Sequence, residues 1–369
     1  MGLSAERKTK HERVRALLEE HDLDGALLTR RCNFSWYTCG AHNHVGTASD
    51  VGVTTLLVDR DGASVLANNI EAARLRAEEL ADSGIEILEH NYADGAGRKT
   101  LFAKSFGGRR LAADAPVAGV EAKPLPAGFD RLRWSLTPEE IGRYRSVCTD
   151  VVAAVESVAR AVERGQTENG LAGMLGEALS RRGCLAWVLL VGADERVERF
   201  RHPLPTGKRV EKYFMLATCA ERGGLVAACT RLAAFGRLPE ELERKHRAVA
   251  TVDTALLAAT QPGVTLGDLF AEAQAAYASV GFPDEWRLHH QGGSIGYLPR
   301  DVKAAPGEPT AALENQAFAW NPTITGTKAE DTVLCRPGGA EALARPTDWP
   351  TVRAKWKGRA MDRPAILVR

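Results

Sequence analysis

The sequence predicts an α+β protein with two domains: a smaller α/β domain over residues 1–126, and a larger domain over residues 127–369 in which helices cover a mostly antiparallel sheet. The chain of 369 residues is long enough for two domains. Predicted strands and helices alternate in the first third, as in α/β domains. In the larger part most helices precede the strands, which favours helices on one face of an antiparallel sheet. A connector rich in proline and glycine at 123–128 separates the two parts.

The composition excludes several classes of partner. Hydrophobic residues make up 44% of the chain and the formal net charge is +1, so neither nucleic acid nor a membrane surface is an expected partner. The seven cysteines are scattered without a CxxC pair, which is typical of reduced thiols. The charged N-terminal segment lacks the apolar region of a signal peptide, and no apolar run is long enough to span a bilayer. We therefore expect a cytoplasmic protein.

The first domain contains short apolar runs between amphipathic segments. The patterns predict helices over 4–20 and 69–81, and strands over 25–29, 53–58, 85–88 and 111–113. Between the first two strands lies a predicted polar loop that contains Arg31, Phe34, His42 and His44.

The second domain opens with a strong helix start at Thr137-Pro138-Glu139-Glu140, where threonine is the N-cap and glutamate follows three residues later. This helix is predicted to end near 163, and further helices are predicted from 167, over 238–260 and from 265. Predicted strands cover 213–219, 224–229, 288–291, 317–324 and 331–335.

Two adjacent histidines, His289 and His290, precede a glycine cluster and suggest a strand that enters a tight turn. Successive side chains of a strand point to opposite faces, so His289 and Gln291 would share one face and His290 would face away. The alternative is a loop with one structural and one exposed histidine.

Polar residues recur at the ends of predicted strands that would be neighbours in one sheet. Each has an ordinary structural explanation alone, but together they predict a shared pocket. These residues are His202, Thr230, Arg231, His289, His290, Asn321, Glu330 and Asp331.

The order of these motifs resembles the creatinase, prolidase and aminopeptidase P superfamily, over nearly the whole chain. The resemblance rests on the helix start at 137–141, His202-Pro203, Thr230-Arg231, the glycine segment 292–296, Asn321-Pro322 and Glu330-Asp331. It also includes the segment 33–36, which is similar to the family's N-terminal domain. The resemblance implies the pita-bread fold for the second domain, and a homodimer in which the N-terminal domain lies near the partner's active site.

The departures from this family concern its metal ligands. Its metallopeptidases bind two metals through two aspartates, one histidine and two glutamates. The resemblance puts Ala217, Ala228, Gly293 and Asn321 at four of these positions, and only Glu330 is retained. Since alanine and glycine offer no side-chain ligand, a binuclear metallopeptidase is not expected, and neither a metal nor another cofactor is predicted.

Within the family, the pattern is closest to creatinase, which lacks the metals and works through histidine. His202 falls on its catalytic histidine, His289 on a histidine before its glycine segment, and Arg300 on a shared arginine. Thr230 and Asn321 stand where creatinase has the glutamates that hold a guanidinium group. A cationic guanidinium needs carboxylate partners, so a neutral or anionic small molecule is the expected substrate.

The sequence therefore predicts a metal-independent, creatinase-like enzyme that hydrolyses a C–N bond by histidine acid–base catalysis, with a pH limb near 6–7. The expected catalytic residues are His202, His289 and Glu330. The expected substrate-binding residues are Arg231, Arg300, Asn321, Thr230, Tyr297 and Trp320, with Arg31 and Phe34 completing the partner's site.

Three alternatives stay open at this point. A lyase or cyclase would use the same histidines. A non-catalytic protein that binds small molecules or peptides would also lose the metal ligands. A third alternative is a mononuclear metal site built from His289 or His290 with Glu330 or Asp331.

Overall fold

The computed structural model describes residues 4–369 and divides the chain into two compact units, Met1–Arg133 and Trp134–Arg369. The 3₁₀ turn Phe129–Arg133 belongs to the first unit. The domain boundary predicted between residues 126 and 127 stays a prediction.

The first unit is built on a mixed sheet of six strands in the order β4-β3-β2-β1-β5-β6. The pairs β1–β2 and β2–β3 are antiparallel, whereas β1–β5, β3–β4 and β5–β6 are parallel. Its helices are α1 (Ala5–Glu20), α2 (Arg31–Tyr37), α3 (Asn69–Arg74) and α4 (Gly95–Phe106), and its strands are β1 (Gly25–Arg30), β2 (Val51–Asp59), β3 (Ala63–Asn68), β4 (Glu86–His90), β5 (Leu111–Ala113) and β6 (Lys123–Pro124).

The loop predicted around Arg31 and Phe34 is wrong in its first half, because Arg31–Tyr37 forms the helix α2. All seven residues of this helix are buried, and Phe34 is 0% exposed. The apolar side chains Phe34, Trp36 and Tyr37 place the segment in the core of the unit. The polar residues on either side of the segment had suggested a loop instead. Phe34 is therefore not a side chain that this unit presents to a partner.

The second unit contains a sheet of eight strands, six of which follow the order β10-β11-β14-β9-β8-β7, with β15 paired to β14 and β18 to β9. Its helices are α5 (Pro138–Ala161), α6 (Glu168–Ser180), α7 (Glu195–Arg199), α8 (Glu240–Ala259) and α9 (Leu266–Ser279). Its strands are β7 (Leu185–Ala193), β8 (Tyr213–Arg222), β9 (Leu225–Ala234), β10 (Gly292–Ile295), β11 (Ala317–Trp320), β12 (Thr323–Ile324), β13 (Thr327–Lys328), β14 (Asp331–Leu334), β15 (Glu341–Ala342), β16 (Thr351–Trp356), β17 (Arg359–Pro364) and β18 (Leu367–Val368).

Local capping chemistry fixes the starts of the main helices. Thr137 and Glu140 form a complete capping box at the start of α5. Thr167 and Thr265 cap α6 and α9 by accepting a backbone N–H three residues later. The helix starts predicted at these three threonines are therefore confirmed.

The sheet is almost entirely antiparallel, and the hairpin β8–β9 forms its long central pair. Buried residues of α8 and α9 pack with Phe318 and Trp320 of β11 in one apolar cluster. The predicted strand at 288–291 is wrong: Glu285–Leu288 is a 3₁₀ turn, and the strand begins only at Gly292. Gly292 and Gly293 adopt φ values of 100° and 152°, which side-chain-bearing residues avoid, and this turns the backbone after the histidines.

None of the helices within residues 4–369 is both long enough and apolar enough to cross a membrane.

Candidate active site

One pocket of the second unit collects several of the predicted site residues. It has a volume of about 270 Å³ and opens over β7, β8 and the segments that precede β10 and β14. Its lining residues are Val188, Leu190, His202, Ala217, Thr218, Cys219, His290, Pro299, Arg300, Lys303, Asn321, Lys328 and Glu330.

A larger groove of about 730 Å³ lies between α5 and the segment 341–346. Three of its four charged lining residues are committed to ion pairs, since Arg145 binds Glu341 and Asp150 binds Arg222, and Arg345 is the fourth. The smaller pocket is the better candidate site because its titratable groups converge on one cavity.

One wall of the pocket is backed by a pair of imidazoles, of which His202 lines the cavity. The Nε2 atoms of His202 and His289 are 3.1 Å apart, and the ring centroids are 4.9 Å apart in an edge-to-face arrangement. His202 is exposed to the pocket, whereas His289 is only 8% exposed and lies behind it. The predicted pairing of these two side chains in one site is thus present in the geometry.

The hydrogen bond between the two rings requires one donor and one acceptor. Nδ1 of His289 is buried without a hydrogen-bond partner among the described residues. Two arrangements satisfy this bond. If the proton of His289 is on Nε2, Nε2 of His202 accepts it and Nδ1 of His202 carries the other proton. If the proton of His202 is on Nε2, His202 donates to His289 and the lone pair on Nδ1 of His202 stays free. In either arrangement His289 orients the more accessible ring.

His290 does not face away from this pair, contrary to the sequence prediction. Its ring lies 4.5 Å from that of His289 and 5.9 Å from that of His202, and it lines the pocket. Because residues 289–291 are not in a strand, the alternation of faces does not apply. Nδ1 of His290 accepts the backbone N–H of Gly292 at 3.2 Å.

The environment keeps all three imidazoles neutral. Burial, reinforced by the charge of Lys328, lowers the pKa of His289 to about 2. Burial, together with Arg300 and Lys303, lowers the pKa of His290 to about 4. The pKa of His202 is also lowered, mainly by partial burial and then by Lys328. At neutral pH each ring therefore retains a lone pair that can accept a proton or a hydrogen bond.

Glu330 is paired with a lysine that the sequence analysis did not identify. Nζ of Lys328 lies 2.7 Å from the Glu330 carboxylate, and both side chains are 5% exposed. The hydroxyl of Thr230 donates to the same carboxylate at 2.6 Å. Burial raises the pKa of Glu330, but Lys328 and Thr230 outweigh burial and hold that pKa below its usual value. Glu330 is thus an anchored carboxylate.

Arg300 and Asn321 also line the pocket, as predicted. Nη1 of Arg300 donates to the carbonyl oxygens of Gly293 and Ala319 at 2.9 and 2.8 Å. Asn321 is 3% exposed, and its Oδ1 is buried without a hydrogen-bond partner among the described residues. Such an acceptor suits a ligand that brings an N–H or O–H donor.

The remaining predicted substrate-binding residues of this unit lie outside the pocket lining. Arg231 forms buried ion pairs with Glu156 and Asp331. Tyr297 is 1% exposed and donates its hydroxyl to Glu140, whereas the Trp320 indole packs in the core and donates to Thr260. Thr230 contacts the site only through Glu330. In the first unit, Arg31 and Phe34 are buried in α2.

Cys219 is a pocket residue that the sequence analysis did not select. Burial raises the pKa of its thiol to about 12, so the thiolate is not available at neutral pH. Since the thiolate is the nucleophilic form, the pocket is not suited to cysteine catalysis.

The binuclear metal site implied by the family does not fit these residues. A Cβ at Gly293 would lie 2.0 Å from the carbonyl oxygen of Val302, so no ligand side chain can stand there. Ala217 and Ala228 have no donor atom, Asn321 is neutral, and Glu330 is bound by an ammonium group. These residues therefore do not form the two-metal ligand set of the family, and metal independence stays a prediction.

A different set of nitrogen atoms converges in the pocket. One ligand atom from each of His202, His289 and His290 lies within 4.8 Å of the others, which is the spacing of a group that could hold a metal ion. The predicted combination with Glu330 or Asp331 is not formed, because these carboxylates bind Lys328 and Arg231. The surrounding cations that lower the histidine pKa values also disfavour a metal cation at this point.

Comparison with known proteins identifies the family to which this chain is similar. The family model for metallopeptidase family M24 matches residues 142–337, which is more than half of the chain. No match was found among curated protein sequences.

Solved structures share the fold over the whole chain at low sequence identity. The dipeptidase PepE from Mycobacterium ulcerans has a TM-score of 0.75 at 17% identity, with 100% of this chain and 99% of that chain covered. The Xaa-Pro dipeptidase from Bacillus anthracis has a TM-score of 0.76 at 19% identity, with 98% and 100% covered. The prolidase from Pyrococcus horikoshii OT3 has a TM-score of 0.74 at 17% identity, with 93% and 99% covered.

These likenesses confirm the predicted α+β architecture, with a pita-bread unit preceded by an N-terminal unit. The chain belongs to metallopeptidase family M24.

Proposed function

We propose that this protein is a metal-independent enzyme that hydrolyses a C–N bond of a small anionic molecule, with His202 as the general base and acid. The observation that carries the proposal is the His202–His289 pair, whose Nε2 atoms are 3.1 Å apart. In the same site Lys328 binds Glu330 at 2.7 Å, so this carboxylate is not free to bind a metal. Membership of a hydrolase family supports the reaction class. The departures at the metal ligands support a mechanism that depends on side chains alone.

The two histidines have different roles in this proposal. His202 is accessible from the pocket, and its pKa is lowered less than that of His289. His202 therefore exchanges the proton, because a base works best when its pKa lies near the working pH. In this proposal Nε2 of His202 donates to Nε2 of His289, so Nδ1 of His202 is the basic nitrogen. His289 holds the His202 ring in position and would act on the rate through that ring.

Hydrolysis then needs two proton transfers by His202. It first removes a proton from water as the water oxygen attacks the carbon of the C–N bond. The same proton then passes to the leaving nitrogen as the C–N bond breaks. Lys328 is suited to stabilise the negative charge that develops on the attacked group. Arg300 binds the substrate's anionic group, and Oδ1 of Asn321 accepts an N–H of the substrate.

Two rivals use the same pocket. Elimination or cyclisation would need only the proton transfers, without incorporation of water. A binding protein without turnover would need the cations and Asn321 but not the paired histidines. The close approach of two neutral imidazoles favours the enzyme, because proton transfer is a reason for a second ring to orient the histidine that lines the cavity.

The test measures release of ammonia or amine from a panel of carboxylate-bearing amides, ureas and amidines, with EDTA present. On any substrate found, His202→Ala should lower turnover about 10²–10⁴-fold, because one positioned histidine contributes about that factor. Its free energy of unfolding should change by less than about 1 kcal/mol. His21→Ala is the matched control, since His21 is exposed in the first unit.

Near-wild-type turnover in both His202→Ala and His289→Ala would rule out histidine catalysis. Turnover in ¹⁸O-labelled water separates the rival reactions, because only hydrolysis puts the label into the product. Loss of all activity in EDTA would contradict the metal-independent mechanism.

A further inference from the structure

The charges that line the pocket do not balance. Its lining contains the cations Arg300, Lys303 and Lys328 but only one carboxylate, Glu330. The two lining histidines have lowered pKa values and are neutral at pH 7. Lys328 is matched by Glu330 at 2.7 Å. Two positive charges of the lining are therefore left without a counter-ion from the lining itself.

The first of these charges is on Arg300, which is largely enclosed by the site. Among residues 4–369, no carboxylate forms an ion pair with its guanidinium group within 4.0 Å, and the charges of Glu330 and Asp301 act on it only from a longer distance. Only Nη1 is bonded, and its acceptors are two backbone carbonyls. A guanidinium has five N–H donors, so the remaining donors are open to a ligand. An enclosed cation without a direct anionic contact is costly, and an anion bound to the open donors would reduce that cost.

The second charge is on Lys303, at the exposed edge of the same pocket. The backbone of Lys303 forms a β-bridge with Gly293, whose carbonyl oxygen also accepts from Arg300. In the described part of the chain, the ammonium group of Lys303 takes part in no ion pair. Arg300 and Lys303, the two cations without an ion pair, are thus both held by the backbone at Gly293 and line the same cavity.

We infer that the ligand of this pocket is a small dianion, with one anionic group bound by Arg300 and the other by Lys303. The inference rests on the proposed function only in taking this pocket as the substrate site. The volume of about 270 Å³ is smaller than that of pockets for drug-sized ligands, which begin near about 300 Å³. A short dicarboxylate satisfies both the size and the charge. A compound with one carboxylate and one phosphate also offers two anionic groups, with a larger total charge.

Calorimetric titration of the full chain tests this directly. The probes are malonate, succinate, glutarate and 2-phosphoglycolate, together with the monoamides of the three dicarboxylates, all at one ionic strength because salt screens such contacts. At least one dicarboxylate should bind at least about tenfold more tightly than its own monoamide, as expected for one added charge-assisted contact. A preference for dicarboxylates or for 2-phosphoglycolate identifies the second anionic group, and either preference supports the inference.

Two charge-removing variants localise the effect. Lys303→Gln should reduce the preference for the dianion by about tenfold, with an unchanged melting temperature in the absence of ligand. Lys355→Gln is the matched control, because Lys355 is an exposed lysine of β16 outside the pocket lining. Arg300→Met should abolish binding, and the Lys303 variant keeps the test valid if Arg300→Met does not fold.

Equal affinity for dianions and monoamides would overturn the inference, as would failure of every dianion to bind or equal effects of the two lysine variants. None of these outcomes involves turnover. The proposed chemistry is tested separately by His202→Ala, so failure of the charge inference and failure of the catalytic proposal are distinguishable.

Discussion

Replacement of Lys328 by methionine removes the ammonium group that neutralises Glu330 and leaves a carboxylate that is 5% exposed. Loss of one partner of a buried ion pair typically costs about 3–5 kcal/mol. Thr230 still donates to Glu330, and water can enter from the pocket. We therefore expect the lower end, about 3 kcal/mol, for Lys328→Met.

The reverse variant, Glu330→Gln, leaves the buried ammonium group with a neutral acceptor and should cost a similar amount. The double variant Lys328→Met/Glu330→Gln contains no uncompensated charge. Its total cost should fall short of the sum of the single costs by at least about 2 kcal/mol, because contacting residues are not additive. Lys303→Met is the matched control and should change stability by less than about 0.5 kcal/mol, since Lys303 is exposed.

Urea-induced unfolding of the four proteins at pH 7, followed by circular dichroism, gives the coupling energy. The pKa of Glu330 is held below its usual value of 4.5. Its contribution is therefore present above that value and is lost as the pH falls through the lowered pKa. Additive single-variant costs at pH 7 would refute the description of Lys328 and Glu330 as one buried unit.

Three further predictions concern pH and assembly. The pH–rate profile should have its acidic limb below 6.5 rather than at 6–7, because burial and Lys328 lower the pKa of His202; a limb above 7 measured on any substrate would contradict this. Stability should decline as the pH falls from about 6.5 towards 4, because His289 and His290 stay neutral in the folded state while unfolded histidines bind protons. Each of these two histidines should lower the free energy of unfolding by about 1 to 2 kcal/mol at pH 5. His290→Gln should therefore flatten the pH dependence of the melting temperature, and an unchanged slope would contradict this prediction. Sedimentation at micromolar concentration should show a homodimer, as the family resemblance implies, and a monomer alone would defeat that prediction.

Helices and the long hairpin were predictable because their signals are local. Thr137, Thr167 and Thr265 cap helices that start where the sequence pattern indicates. The hairpin β8–β9 follows from two apolar runs around Gly223 and Gly224. Strand β7 was missed although Leu185–Ala193 is a nearly continuous apolar run, a recognised signal for a buried strand.

The site was predictable only in part, because its geometry depends on contacts between distant segments. His202 and His289 were placed together by resemblance, and the structure brings them to 3.1 Å. His290 was misplaced because the glycine turn after it ends the extended segment before a strand can form. Lys328 was missed because the sequence does not show that a short hairpin, in which Lys328 pairs with Thr323, buries its ammonium group beside Glu330.

Metal content tests the central claim most directly. The protein would be expressed with added manganese, zinc and cobalt, purified without chelator, dialysed extensively and analysed by plasma mass spectrometry. With Ala217, Ala228, Gly293 and Asn321 at the family's ligand positions, we predict less than about one-tenth equivalent of any transition metal, and no change in melting temperature on addition of EDTA. A stoichiometric metal that is retained after dialysis and lost in His290→Gln would contradict the account and would assign the three converging histidines to a metal site.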